Sequence, residues 1–334
     1  MTLMSKFFGA TAAVALSAGA ALADPALIFD LGGKFDKSFN EAAFNGAQKW
    51  ADETGGKFFE IELQSEAQRE QALRRFAESG ANPVITTGFF FADPIGNIAA
   101  DYPDTKFINV DGWLPEVPPN VQLINFQEHE GSYLVGMMAA MASKTGTVSF
   151  IGGMDIPLIR HFGCGYAQGV KAVNPEATII ANMTGTTPTA WNDPVKGSEL
   201  TKAQISQGAD VVYAAAGGTG VGVLQAAADE GILSIGVDSN QNHLHPGKVL
   251  TSMMKRVDVA VYDAMKAGVD VETGGFTTLG LAQEGVGYAL DENNADLVNA
   301  EMKEAVDAAR AKIISGDIEV VSYYANDSCP AIDF

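Results

Sequence analysis

Short apolar runs alternate along this chain with stretches in which apolar residues recur at helical spacing. The run at residues 26–30 ends at a pair of glycines, which predicts a buried strand. Over residues 38–54 the apolar side chains recur near the helical period, which predicts a helix. The same order of strand and helix repeats as far as Val237. Such alternation is typical of the α/β class, in which helices cover parallel sheets.

The alternation falls into two consecutive series, so we predict two similar lobes. The first lobe is expected to comprise residues 24–125 and 256–283, and the second lobe residues 126–255 and 284–334. No low-complexity linker separates the two series. That absence favours several short crossings between the lobes over a single joint.

Composition narrows the function classes. The chain has 334 residues, of which 47% are hydrophobic, so it is long enough for two cores. Acidic residues outnumber basic ones by 41 to 21, and the formal net charge is −20. Because such a surface repels phosphate backbones, we expect no nucleic-acid partner. Two cysteines exclude a disulfide-rich scaffold and a zinc site built from cysteine alone.

Residues 1–23 have the features of a secretory signal peptide. Lys6 precedes an uncharged, alanine-rich run, and Ala21-Leu22-Ala23 forms an A-x-A cleavage site. A membrane anchor is the alternative, but the run is short beside the ~20 strongly apolar residues of a membrane span. No cysteine directly follows the cleavage site. We therefore expect a soluble periplasmic protein, exported through a cleavable signal peptide and not lipid-anchored.

Charged residues stand where several predicted strands end. Asp30 ends the first strand, and Asp111, Asp238 and Lys255 hold equivalent places after later apolar runs. Ligands of open α/β sheets bind beyond the carboxyl ends of the strands. Because an unpaired buried charge is costly, Asp111 must face water or a polar ligand.

The segment from Ser38 to Glu41 is predicted to open the first helix. Ser38 and Glu41 match the S-x-x-E capping box, which accounts for both side chains. Phe39 and Asn40 fall in the first turn beside a strand end. The Phe39 ring could stack on a flat ligand, although it could equally belong to the core.

A second aromatic residue, Trp191, precedes a helix of the second lobe. As a hydrophobic staple it would pair with position N4 of that helix. With Asn192 as the cap, that position is Lys196, which is not apolar. A second stacking ring is therefore favoured. Further along, residues 216–220 expose backbone amides at a helix start but match neither G-x-G-x-x-G nor Walker A.

Several motifs together carry a family resemblance, and they occur in one order along essentially the whole mature chain. They are Asp36-Lys-Ser-Phe-Asn40, Glu130-Gly-Ser-Tyr-Leu-Val-Gly136, Phe150-Ile-Gly-Gly-Met-Asp-Ile-Pro157, Ala216-Gly-Gly-Thr-Gly220, Gly236-Val-Asp238 and Thr251-Ser-Met-Met-Lys-Arg256. This set resembles the basic membrane protein (Bmp) family of ABC-transporter substrate-binding proteins, which includes purine nucleoside receptors. The resemblance implies a type I periplasmic-binding-protein fold, in which two α/β lobes joined by three crossings close on a solute.

The resemblance also implies a set of ligand contacts. In the nucleoside receptors two aromatic rings sandwich the base, and Phe39 and Trp191 match those places. Tryptophan stands where phenylalanine is usual, and some relatives bind riboflavin, so another flat solute is the alternative. The other positions that match the surroundings of base and ribose are Asp30, Asn40, Asp111, Gly218, Asp238 and Lys255. The implied partner is an ABC permease in the inner membrane, and we expect a monomer.

Two other functions are weighed against a transport receptor. An exported nucleoside hydrolase typically needs a metal-binding carboxylate cluster or an activated nucleophile. The Asp30…Asp36 pair is not the dense D-x-D-x-x-x-D-D cluster of that class. A receptor that signals to a chemoreceptor would use the same closed lobes as one that serves transport. His243-x-His245 lacks a third ligand nearby, so we expect no metal site. Together with the missing carboxylate cluster, this favours a binding protein, for which we expect no cofactor and no enzymatic activity.

The two cysteines, Cys164 and Cys329, are predicted to form a disulfide. Two free thiols would be at risk of oxidation in an exported protein. The polar tail that carries Cys329 would fray unless it were tied to the second lobe. The alternative is a small buried Cys164 and a free thiol in the tail.

Overall fold

The computed structural model of the protein describes residues 23–325 and 327–334. The predicted signal peptide lies outside this part of the chain, apart from Ala23. No helix within the described residues is long and apolar enough to cross a membrane.

The first lobe is built on a sheet of six parallel strands in the order β11-β5-β4-β3-β1-β2. Strands β1, β3 and β4 are buried along their whole length, which explains why their sequences read as continuous apolar runs. The lobe consists of β1 (Ala26–Phe29), α1 (Phe39–Thr54), β2 (Phe59–Glu62), α2 (Gln68–Glu78), β3 (Val84–Thr87), α3 (Ala92–Ile98), β4 (Phe107–Val110), β5 (Val121–Phe126), α8 (Val257–Ala267) and β11 (Gly275–Leu279).

The second lobe has a sheet of the order β12-β10-β9-β8-β6-β7. Five of its strands run parallel, and β12 is antiparallel to β10. The lobe consists of α4 (Glu128–Ala142), β6 (Thr147–Met154), α5 (Pro157–Val173), β7 (Thr178–Gly185), α6 (Pro194–Ser206), β8 (Val211–Ala215), α7 (Thr219–Asp229), β9 (Leu233–Asp238), β10 (Val249–Lys255), β12 (Val286–Tyr288) and α9 (Ala300–Ser315).

The chain passes between the sheets three times: after β5, after β10, and between β11 and β12. The predicted architecture of two α/β lobes joined by three crossings is confirmed. We retain the predicted lobe limits as the proposed division of the chain, except that Phe126 ends β5 and so belongs to the first lobe.

Small residues let the inner helices pack closely. In the first lobe α1 lies against α8, where a Cβ on Gly46 would overlap the backbone of Asp258. In the second lobe α4 lies against α5, where Gly136, Gly165 and Gly169 all face backbone of the partner helix. These contacts fix α1 and α5, whose first turns carry residues of the cleft between the lobes.

Candidate ligand site between the lobes

A cavity lies between the lobes, at the carboxyl ends of the strands of both sheets. Seven of the eight predicted ligand residues line it: Asp30, Phe39, Asn40, Asp111, Trp191, Asp238 and Lys255. The rest of its wall is apolar apart from Asp36, and its larger side chains are Leu31, Phe89 and Phe90 of the first lobe and Leu158, Ile159 and Phe162 of the second. The cleft therefore combines aromatic surface with a few charged groups, as small-molecule sites commonly do.

The two predicted stacking rings enter this cavity from opposite lobes. Phe39 is the first residue of α1, and Trp191 ends a short 3₁₀ turn before α6. Both side chains are half-buried. The six-membered ring of Trp191 packs directly on the backbone of Gly153. A Cβ at that position would overlap the ring, so only glycine allows this contact. Asp193, rather than Asn192, caps α6 by accepting from the Lys196 amide, so Trp191 is not placed as a staple.

Gly218 is the predicted residue that does not line the cavity. It precedes α7 beside the backbone of Trp191, and its neighbour across the lobes is Asp36. The adjacent Gly217 forms part of the cavity wall instead. Gly217 has a positive φ of 54°, which is accessible to glycine at little cost.

Asp36, and not Ser38, caps the first helix. Its carboxylate accepts from the backbone amides of Ser38, Asn40 and Glu41, at 2.8, 3.0 and 3.1 Å. The predicted capping box is therefore wrong. The Ser38 hydroxyl instead donates across the lobes to Asp238 Oδ2, 200 residues away. Burial raises the pKa of Asp36 to about 7, despite the three amides that favour its charged form.

Asp30 and Asn40 are held by neighbours. Arg69 donates through Nε and Nη2 to Asp30 Oδ1, at 3.0 and 2.9 Å. The Asn40 amide donates to the carbonyls of Asp30 and Gly33, and its oxygen accepts from the Thr87 hydroxyl. Asn40 therefore braces the loop after β1. Burial raises the pKa of Asp30, and the Arg69 charge opposes that shift.

A second group of charged side chains in the cavity wall is centred on Lys255. Its Nζ lies 2.6 Å from Asp111 Oδ2 and 2.9 Å from Glu128 Oε1. Asp238 is the third acid that acts on this ammonium. Burial removes water from the three carboxylates and raises the pKa of Asp111, of Glu128 to about 7 and of Asp238 to about 6, while the Lys255 charge opposes each shift. Burial alone would lower the pKa of Lys255, but the carboxylates raise it.

One buried acceptor of this region, the Asp111 Oδ1 atom, has no hydrogen-bond partner among the described residues. Ser38 accounts for only one oxygen of Asp238. A buried acceptor without a donor is costly, so the cleft suits a solute that brings several N–H or O–H groups.

Sequence reasoning missed Arg69, Glu128 and Asp36 as parts of this arrangement. Glu128 and Arg69 lie on α4 and α2, and neither lines the cavity. His129 and His161 also meet there, with 4.2 Å between their ring centroids and a tilt of 40° between their planes. Only their contacts in three dimensions mark these residues, although Glu128 at the start of a largely apolar helix was a visible signal.

The C-terminal tail lies against α5 behind the cavity. Cys164 of α5 and Cys329 of the tail form a disulfide, with 5.5 Å between their Cα atoms. Gln168 also holds the tail, because its amide donates to the Val321 carbonyl and its oxygen accepts from the Val321 amide. The other side of α5 supplies Leu158, Ile159 and Phe162 to the cavity.

Comparison with known proteins links this cleft to a family. Residues 25–323 match the Bmp family, described as ABC transporter substrate-binding protein PnrA-like. An ABC transporter nucleoside-binding protein of Lactococcus lactis is 32% identical over 89% of this chain and 88% of its own. The crystal structure of an ABC transporter solute-binding protein from Aeropyrum pernix has a TM-score of 0.83 at 29% identity, covering 91% of this chain and 95% of its own.

The comparisons correct the expected localisation. An uncharacterised lipoprotein of Pyrococcus horikoshii is 36% identical over 79% of this chain and 68% of its own. Two similar relatives, from Pyrococcus abyssi and Pyrococcus furiosus, are also named lipoproteins. The expectation of a periplasmic protein without a lipid anchor is therefore wrong. That expectation rested on the missing cysteine after the A-x-A site, a local signal that says nothing of the family's other members.

Proposed function

Because the chain belongs to the Bmp family of PnrA-like ABC transporter substrate-binding proteins, we propose that it binds a purine nucleoside between its lobes. It then presents the nucleoside to an ABC permease as a monomer. The observation that carries the proposal is the shared cavity of Phe39 and Trp191, one ring from each lobe, beside the carboxylates of Asp111 and Asp238. Two rings on opposite walls suit the two faces of a base.

The charged end of the cavity suits a ribose. Asp111 Oδ1 is a buried acceptor without a hydrogen-bond partner among the described residues, and the Asp238 carboxylate lines the same cavity. The hydroxyl groups of a ribose can donate to both. Lys255 supplies a donor on the same side, for an acceptor of the sugar or the base. The relative from Lactococcus lactis, whose name describes nucleoside binding, supports this choice of solute.

A binding role is favoured over hydrolysis of a nucleoside. Asp30 Oδ1 is engaged by Arg69, and both oxygens of Asp36 accept from the backbone. These acids are therefore already used to hold the loop after β1, which leaves them poorly placed to bind a metal ion. Turnover of inosine in the presence of Mg²⁺ or Ca²⁺ would contradict the binding role.

Riboflavin is the second candidate, and the breadth of the Trp191 ring favours it. Its flat ring system would use the same two aromatic walls, and its hydroxylated chain the same carboxylates. Isothermal titration calorimetry with inosine, guanosine, adenosine and riboflavin separates the two. Tight binding of a nucleoside and weak binding of riboflavin are expected. The reverse order would replace the proposed solute, and native mass spectrometry of the freshly purified protein would identify any solute that it retains.

A further inference from the structure

Lys255 is held from several sides at once. Its side chain is 2% exposed, and Asp111 and Glu128 contact its Nζ at 2.6 and 2.9 Å. The rings of Phe39, Phe126 and Phe162 surround the ammonium at 5.2, 5.1 and 5.4 Å from their centroids. An ammonium has three N–H donors. One donates to Asp111 Oδ2 and the ion pair with Glu128 engages a second, which leaves the third for the cavity that Lys255 lines.

Of the two carboxylates, only Asp111 reaches the cavity. Glu128 is the first residue of α4, and its side chain is 2% exposed and absent from the cavity wall. Its other oxygen, Oε2, lies 3.9 Å from His161 Nε2. The Tyr323 amide donates to His161 Nδ1, so the proton of a neutral ring is on Nε2, facing Glu128. Burial holds His161 neutral by lowering its pKa well below the usual value.

We propose that Glu128 is a positioning residue for the solute site, which holds the Lys255 ammonium so that its remaining N–H points into the cavity. Asp111 alone would leave the ammonium free to turn about a single contact. The second carboxylate, on a different element, defines its orientation. This inference rests on the proposed solute-binding function, because its main effect is on solute affinity.

The test compares two glutamates of the same helix. Glu128→Gln keeps the shape of the side chain and removes its charge. Glu130→Gln is the matched control, since Glu130 is also on α4 but accepts from the Leu281 amide and does not contact Lys255. We expect Glu128→Gln to weaken inosine binding about tenfold in calorimetry, and Glu130→Gln less than twofold. Both changes are repeated in a Lys255→Met background, where Glu128→Gln should have no further effect if it acts through Lys255.

A second readout needs no solute. The rate at which acetic anhydride modifies Lys255, followed by mass spectrometry of its peptide, should rise severalfold in Glu128→Gln and stay unchanged in Glu130→Gln. If the wild-type protein binds no nucleoside, the proposed function fails while this readout still tests the positioning role. An unchanged rate overturns the inference, as does a loss of affinity that is equally large in the Lys255→Met background. If Glu128→Gln does not fold, Glu128→Asp takes its place in both measurements.

Discussion

The two lobes have the same order of strands but place their aromatic rings on different connections. In the first lobe the connection after the first strand is long, residues 30–38, and leads to Phe39. Its counterpart in the second lobe is residues 155–156 alone. There the connection after the next strand is long, residues 186–193, and carries Trp191. The sheets are therefore repeated while the binding loops are not, and each lobe supplies a wall that the other lacks.

A second comparison concerns the aspartates that the lobes share. Asp111 follows β4, and Asp238 ends β9, which holds the same place in the strand order. Both have a positive φ, 68° and 63°, which is uncommon outside glycine. This conformation turns each carboxylate out of its sheet and towards the cavity. The repeated feature of the two lobes is thus an acid at a sharp turn, and the difference between them lies in the rings.

Only the second lobe has its inner helix tied by a disulfide, so breaking that bond should affect the lobes unequally. The Cys164→Ala/Cys329→Ser variant loses a bridge that closes a loop across 165 positions of sequence. The chain-entropy cost of opening such a loop is about 4–5 kcal/mol, as an upper figure. We expect a large fall in the free energy of unfolding, measured by denaturant titration. An unchanged unfolding midpoint would show that Gln168 and the tail contacts suffice.

The aromatic walls can be compared directly by removing each in turn. Phe39→Ala and Trp191→Ala should each weaken nucleoside binding by roughly tenfold or more, since a stacked base is worth about 1–3 kcal/mol. We expect the larger loss for Trp191, whose ring is the broader of the two. Calorimetry on both variants measures this. Wild-type affinity in either variant would remove that ring from the site.

The contact between the Trp191 ring and the Gly153 backbone predicts a smaller effect on affinity. Gly153→Ala would place a methyl group against the Trp191 ring, while Gly275→Ala adds one in open space on β11. The first change should shift the ring and weaken binding severalfold, and the control should leave affinity unchanged. Tryptophan fluorescence reports the shift only in combination with Trp50→Phe and Trp113→Phe, because the chain has three tryptophans. Equal nucleoside affinity of the two alanine variants would contradict the proposed packing of Trp191 on Gly153.

The sequence predicted the strands and helices well because their signal is local. The strand predicted at residues 26–30 is observed as Ala26–Phe29, and the helix predicted over residues 38–54 is observed as Phe39–Thr54. The contacts that assemble the site are not local. Ser38 matched a local capping motif, yet its hydroxyl serves Asp238 at a separation of 200 residues. Arg69 and Glu128 likewise act through partners that neither periodicity nor a short motif reveals.

The carboxylate of Asp238 leads to a last prediction, on pH. Burial raises its pKa to about 6, so it takes up a proton as the pH falls from 7 to 5. At pH 5 about a tenth of this group is ionised. A protonated carboxyl is a poorer acceptor for a ligand hydroxyl, so nucleoside affinity should fall by up to about tenfold over that range. As far as this carboxyl is concerned, its raised pKa stabilises the folded protein in acid, so unfolding would not explain the loss.

The variant Asp238→Asn separates this carboxyl from its neighbours. Glu128 and Asp36, whose pKa values burial raises to about 7, titrate in an overlapping range. If Asp238 is the acceptor, Asp238→Asn binds weakly at pH 7 and its affinity changes little down to pH 5. A pH dependence as steep as that of the wild type would assign the effect to Asp111, whose pKa burial also raises, or to Glu128 or Asp36. Calorimetry at pH 5, 6 and 7 with one nucleoside decides between them, and so tests whether the acid of the second lobe contacts the solute.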